Sequence, residues 1–77
     1  MLKDLVLYMA QSLVDDPAAV QVRQIEGTHS VIIKLAVAPD DMGKVIGKQG
    51  KIAKAMRTLI TIAAARDGKR ATLEIQS

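Results

Sequence analysis

The chain has 77 residues, enough for one small domain over 1–77 and too few for a second. Hydrophobic residues make up 49% and charged residues 25%, a composition that folds and that argues against disorder. Cysteine is absent, which excludes a disulfide framework and a thiolate metal site, and a net charge of +3 leans toward a polyanionic partner.

Leu2, Leu5, Val6, Met9, Ala10 and Leu13 recur every three or four positions and predict an amphipathic N-terminal helix. Asp15-Asp16-Pro17 should stop it by about Val14, because the residue before a proline is pushed out of the helical region. No apolar run approaches the roughly 18 residues of a membrane span, and Lys3 and Asp4 do not suit a signal peptide. A reducing, cytoplasmic setting without membrane contact is expected. Tyr8, the only aromatic residue, lies off the apolar stripe; stacking on a base is conceivable there, but an exposed or half-buried helix tyrosine is the ordinary outcome.

Val20 and Val22 alternate with Gln21 and Arg23, and Val31, Ile33, Leu35 and Val37 alternate with Ile32, Lys34 and Ala36, as half-buried strands do. Glu26-Gly27-Thr28-His29-Ser30 between them has hairpin-turn composition. Ile25 breaks the phase of the first strand and implies a bulge or an exposed apolar side chain. His29, without cysteine or a second histidine to join it, is expected to be a solvated turn residue. Pro39-Asp40-Asp41 then suits a helix start, with an aspartate at or beside the N-cap and a second acid near the positive end of the dipole. The two carboxylates could also hold Mg²⁺ or serve as acid and base, but capping explains both.

A short helix from Met42 to Ile46 should end at Gly47, where glycine takes positive φ at little cost. Val45-Ile46-Gly47-Lys48-Gln49-Gly50-Lys51-Ile52 follows as a tight glycine loop opening onto a second, longer helix. Such a junction offers backbone N–H groups and the positive end of a helix dipole to an anion. Lys44, Lys48, Lys51, Lys54 and Arg57 cluster around it, and no Asp or Glu occurs from Met42 to Arg66. A phosphate is the natural guest. The spacing fits neither a nucleotide P-loop nor G-x-G-x-x-G, so a run of nucleotides is favoured over a bound mononucleotide. On this reading the N–H groups of Lys48 to Lys51 meet phosphate oxygens, with Gly47 and Gly50 leaving the approach open. Lys44, Lys51, Lys54 and Arg57 supply general attraction, and Val45, Ile46, Ile52 and Met56 line an aliphatic floor for bases, with Ile33 or Leu35 beside them, the alternative being that several of these lie wholly in the core.

The second helix should run from Lys51 to about Arg66, with Ile52, Ala53, Met56, Ile60, Ala63 and Ala64 on its packing face. Ala55, Leu59 and Ile62 widen the apolar arc beyond what one core needs. Such a surplus belongs either to an interface or to scattered exposed aliphatics; in so small a chain a homodimer seam centred on Leu59 and Ile62 is favoured. Asp67-Gly68 ends the helix, and Ala71, Leu73 and Ile75 alternate with Thr72, Glu74 and Gln76 as a last strand.

The Val-Ile-Gly-x-x-Gly-x-Ile stretch between two helices resembles the KH-domain signature, whose GxxG loop clamps about four nucleotides. The element order resembles the type II (prokaryotic) KH fold. That resemblance implies an α+β fold, α-β-β-α-GxxG-α-β, with a three-stranded mixed sheet covered on one face by helices. With the N-terminal helix, Asp16-Pro17 and the Val45–Ile52 loop together, the chain is similar to the KhpA (YlqC) family of small single-KH bacterial RNA-binding proteins. Membership would imply single-stranded RNA binding without catalysis or cofactor, as an RNA chaperone or post-transcriptional regulator. It would also imply a homodimer, or a heterodimer with a KhpB (Jag/EloR)-type protein.

The lack of Phe and Trp argues against sheet surfaces that stack bases on aromatic rings. Two other classes compete. A dimerisation or scaffold module that binds protein would explain the Ala55, Leu59 and Ile62 flank. An enzyme is disfavoured, because one histidine and serines only at Ser12, Ser30 and Ser77 give no nucleophile beside a base.

Overall fold

The computed structural model describes residues Leu2–Ser77. The elements are α1 (Leu2–Leu13), β1 (Gln21–Glu26), β2 (Ser30–Ala36), α2 (Met42–Ile46), α3 (Lys51–Ala65) and β3 (Arg70–Gln76), with single 3₁₀ turns at Pro17–Ala19, Pro39–Asp41 and Lys48–Gly50. This is the α+β order expected for a type II KH fold. The sheet runs β1-β2-β3, with β1 antiparallel to β2 and β2 parallel to β3.

Strand alternation decides which face is covered. Val31, Ile33 and Leu35 of β2 and Leu73 of β3 point inward and are buried. They meet Val6 and Ala10 of α1 and Met56, Ile60 and Ala64 of α3, so one core lies between the sheet and the helices. α3 packs over β3 and α1 over β1. The β1–β2 hairpin closes through Gly27 N–H donating to the Ser30 carbonyl at 2.8 Å. Its ladder is regular, with Ile25 opposite Ile32, so Ile25 forms no bulge and its side chain stands exposed on the open face.

The helix stops follow backbone chemistry. α3 ends in paired bonds, Lys69 N–H to the Ala64 carbonyl and Gly68 N–H to the Ala65 carbonyl, around Gly68 at φ +70°. α2 ends at Gly47, whose N–H donates to the Gly43 carbonyl at 2.9 Å. α2 has only 5 residues, so its place is set by what its two ends are attached to.

Candidate nucleic-acid interface

Three of the four residues from Gly47 to Gly50 have positive φ: Gly47 at +78°, Gln49 at +58° and Gly50 at +73°. The chain turns sharply between α2 and α3 without lengthening the connection. Gly50 N–H donates to the Gly47 carbonyl, and Lys51 N–H donates to that of Lys48. Neither bond uses the N–H of Lys48 or Gln49. Of the N–H groups from Lys48 to Lys51 expected to face phosphate, those of Gly50 and Lys51 have partners within the loop. The two glycines differ in their surroundings. A Cβ at Gly47 would sit 2.6 Å from Ile52 Cγ1, so the obstruction there comes from the protein itself, whereas a Cβ at Gly50 meets nothing within 4 Å.

Lys48, Gln49, Lys51, Lys54 and Arg57 are all exposed on the loop and the outer side of α3. Among the described residues no ion pair involves any of these four cations. Lys44 is different. Its Nζ lies 2.6 Å from Asp15 Oδ2 and 3.4 Å from Asp41 Oδ1, and the Asp15 hydrogen bond above all holds its pKa above the usual lysine range. Lys44 thus differs from the other four expected site cations around the loop in having two acidic partners.

Packing bears on two further expectations. Val45 and Met56 are fully buried in the core, as are Ile33 and Leu35, so none of the four presents a side chain to a base. Ile46 and Ile52 remain half-buried at the surface beside the loop. Asp41 is not a side-chain cap. It is 3% exposed, caps no backbone N–H of the helix it precedes, and accepts the N–H groups of Asp15 and Asp16 instead. Nothing in local spacing signals those partners.

A second surface adjoins the loop. Ala55 is exposed, as are Leu59 at 47% and Ile62 at 56%. They do not stand alone: Leu59 and Ala55 share a groove with Tyr8, Met9, Leu13 and Ile52, and Leu59 and Ile62 share another with Leu2 and Leu5. α1 therefore supplies half of this apolar face, and Tyr8, 72% exposed, is part of it. The helix periodicity of α3 alone could not show that contribution.

With this geometry in place, likeness to known proteins is informative. The family model for the KhpA/KhpB KH domain matches residues 3–75. The chain belongs to the KhpA/KhpB KH-domain family. It is 57% identical over 72 residues to the RNA-binding protein KhpA of Caldanaerobacter subterraneus, covering 94% of this chain and 96% of that one. It is 55% identical over 74 residues to the RNA-binding protein KhpA of Clostridium acetobutylicum, covering 96% and 99%. The KhpA of Aquifex aeolicus is 51% identical over 74 residues, with 96% and 94% covered. Among solved structures, Era in complex with MgGDPNP and nucleotides 1506–1542 of 16S ribosomal RNA aligns with TM-score 0.54 at 22% identity. That alignment takes in 97% of this chain and 29% of the Era chain, and it shows a shared fold. Among the described residues no helix is long and apolar enough to cross a membrane.

Proposed function

We propose that this chain is a non-catalytic RNA-binding protein that holds single-stranded RNA at the Gly47–Gly50 loop, in the role of an RNA chaperone or post-transcriptional regulator. The observation that carries the reading is the loop itself. Its positive-φ residues turn the backbone N–H groups of Lys48 and Gln49 out of the internal bonding, and four exposed cations that form no ion pair among the described residues surround them. Backbone N–H groups gathered in such a turn make a concavity for an anion, and the cations attract a polyanion without demanding a base sequence. Relatives more than half identical over nearly the whole length are named RNA-binding proteins, which supports the same conclusion.

The test is binding of short single-stranded RNA at two salt concentrations by the native protein and by a Lys48→Asp, Gln49→Asp variant, with folding checked by circular dichroism. Salt-dependent binding by the native protein and none by the folded variant is the expected result. Equal binding by both would remove the loop from the site.

The apolar face favours a second component of the reading, a homodimer in which two copies meet through Ala55, Leu59 and Ile62 with Tyr8 and Leu13 of α1. A 77-residue chain has little core, and joining two such faces removes apolar surface that would otherwise stay wet. Two loops in one particle would also raise RNA avidity through effective concentration. A KhpB-type KH chain is the alternative occupant of the same face.

A further inference from the structure

Asp41 is the one buried charged side chain among the described residues. Its carboxylate joins two segments of chain that are far apart in sequence. Oδ1 accepts the Asp15 N–H at 3.3 Å and Oδ2 accepts the Asp16 N–H at 3.1 Å. Those two N–H groups belong to the segment that leaves α1, whereas Asp41 is the last residue before α2. Lys44, one turn into α2, completes the arrangement by bonding Asp15 Oδ2 at 2.6 Å and Asp41 Oδ1 at 3.4 Å. Burial pushes the Asp41 carboxyl up, but the N–H groups of Asp16 and Asp15 and the Lys44 ammonium outweigh it and hold it below the usual range. The carboxylate therefore stays charged at neutral pH.

A desolvated charge satisfied by backbone groups is costly to leave unpaired, so it ties together the segments that supply its partners. The geometry in question is that of α2. Its single buried residue, Val45, anchors one side; the Asp41 bonds anchor its start; its far end is Gly47. A tilt of so short a helix about Val45 would swing Gly47 and the N–H groups that follow it.

We propose that Asp41, with Asp15 and Lys44, is a positioning bracket that aims the Gly47–Gly50 loop, and that Lys44 serves this bracket and touches no phosphate. The consequence for RNA rests on the function proposed above. Electrostatics alone and positioning give opposite signs for one substitution. Asp41→Asn removes a negative charge near the loop, so simple attraction would tighten RNA binding. Loss of the bracket loosens it, because the amide can accept through only one of its two atoms.

The experiment uses the full chain, a short single-stranded RNA titrated across a salt series, and ¹⁵N amide spectra without RNA. Asp41→Asn is expected to bind roughly tenfold more weakly, the size of losing one charge-assisted hydrogen bond. The amide signals of Lys48, Gln49 and Gly50 should move in the folded variant. Asp40→Asn, which neutralises the exposed neighbour, should bind as well as native protein or slightly better. Lys44→Met leaves both backbone bonds of Asp41 in place, and is expected to keep the native salt dependence. Equal or tighter binding by Asp41→Asn, or loop amide signals unmoved in it, would overturn the bracket. So would a salt slope for Lys44→Met that is shallower by ~0.7, the share of one phosphate-bound cation. Failure of native protein to bind RNA would defeat the RNA reading by itself, and the loop amide signals would still decide the bracket.

Discussion

The side chain of Ile52 occupies the space that a Cβ on Gly47 would need. Its Cγ1 would lie 2.6 Å away and its Cβ and Cδ1 3.0 Å, and a β-branched residue in the first turn of α3 has little freedom to withdraw. Gly47 also sits at φ +78°, ψ 171°, a region essentially confined to glycine. Gly50, at φ +73° and ψ 17°, is left-handed but surrounded by open space. Gly47→Ala is therefore expected to destabilise the fold by about 2–4 kcal/mol, the sum of backbone strain and overpacking. Gly50→Ala should cost about 1–2 kcal/mol from backbone handedness alone. Urea unfolding of both variants decides the matter, and equal losses would mean that the Ile52 contact is not a constraint.

Exposed cations that meet phosphate differ from those that merely face water in how salt acts on the complex. Each phosphate neutralised by a side chain in a single-stranded complex contributes ~0.7 to the slope of log K against log salt. Lys51→Met and Lys54→Met are each expected to make that slope shallower by this amount. Both should weaken binding alike for RNAs of different sequence, since neither cation reads a base. Fluorescence anisotropy at four salt concentrations measures it. A slope unchanged in both variants would place RNA away from the α3 flank.

Much of this architecture is legible in the chain because it is local. The apolar stripe from Leu2 to Leu13, the alternation from Val31 to Val37 and the stop at Gly68 each follow from neighbours within one turn or one pleat. What escapes is whatever depends on distant partners. Spacing puts Val45 and Met56 beside the loop but cannot show that the core has already taken them in. A count of lysines includes Lys44, whose acidic partner Asp15 is 29 residues away. Asp41 has the position of a cap, and only the fold brings the N–H groups of Asp15 and Asp16 to it. Gln49 at φ +58° carries no signal at all, because glutamine has no preference for the left-handed region.

The apolar face shared by α1 and α3 makes a prediction about mass. Leu59→Glu and Ile62→Glu change side chains that are 47% and 56% exposed, so each folded single chain should lose within about 0.5 kcal/mol of stability. A dimer joined through that face should nonetheless dissociate, since a buried unpaired carboxylate at its centre opposes association. Sedimentation of the native protein across a hundredfold concentration range should show a mass that rises toward two chains, and of either variant a mass that stays at one. Native protein that sediments as a single chain throughout would leave the face without a second copy.

Acid should act on the junction between α1 and α2. The carboxyl of Asp41 is held below its usual range, with burial opposing and the N–H groups of Asp16 and Asp15 and the Lys44 ammonium prevailing. Glu26 is also held low, chiefly by its hydrogen bond to Lys69 at 3.0 Å and then by Gln24. A carboxyl whose folded pKa is depressed binds fewer protons folded than unfolded. Its contribution is therefore complete above the unfolded value, about 4, and is lost as pH falls through the folded value. Lys44, held high, works the other way: its contribution is complete below about 10.4 and is lost as pH rises through the folded value. Between those limits these three groups predict a flat plateau. The melting temperature of native protein should fall as pH drops below about 4, and Asp41→Asn should start lower and fall less steeply over the same interval. Glu26→Gln removes an exposed partner and should change the acid limb less than Asp41→Asn does. A native acid limb that is unchanged in Asp41→Asn would mean that the carboxylate is not what holds the segment after α1 to the start of α2.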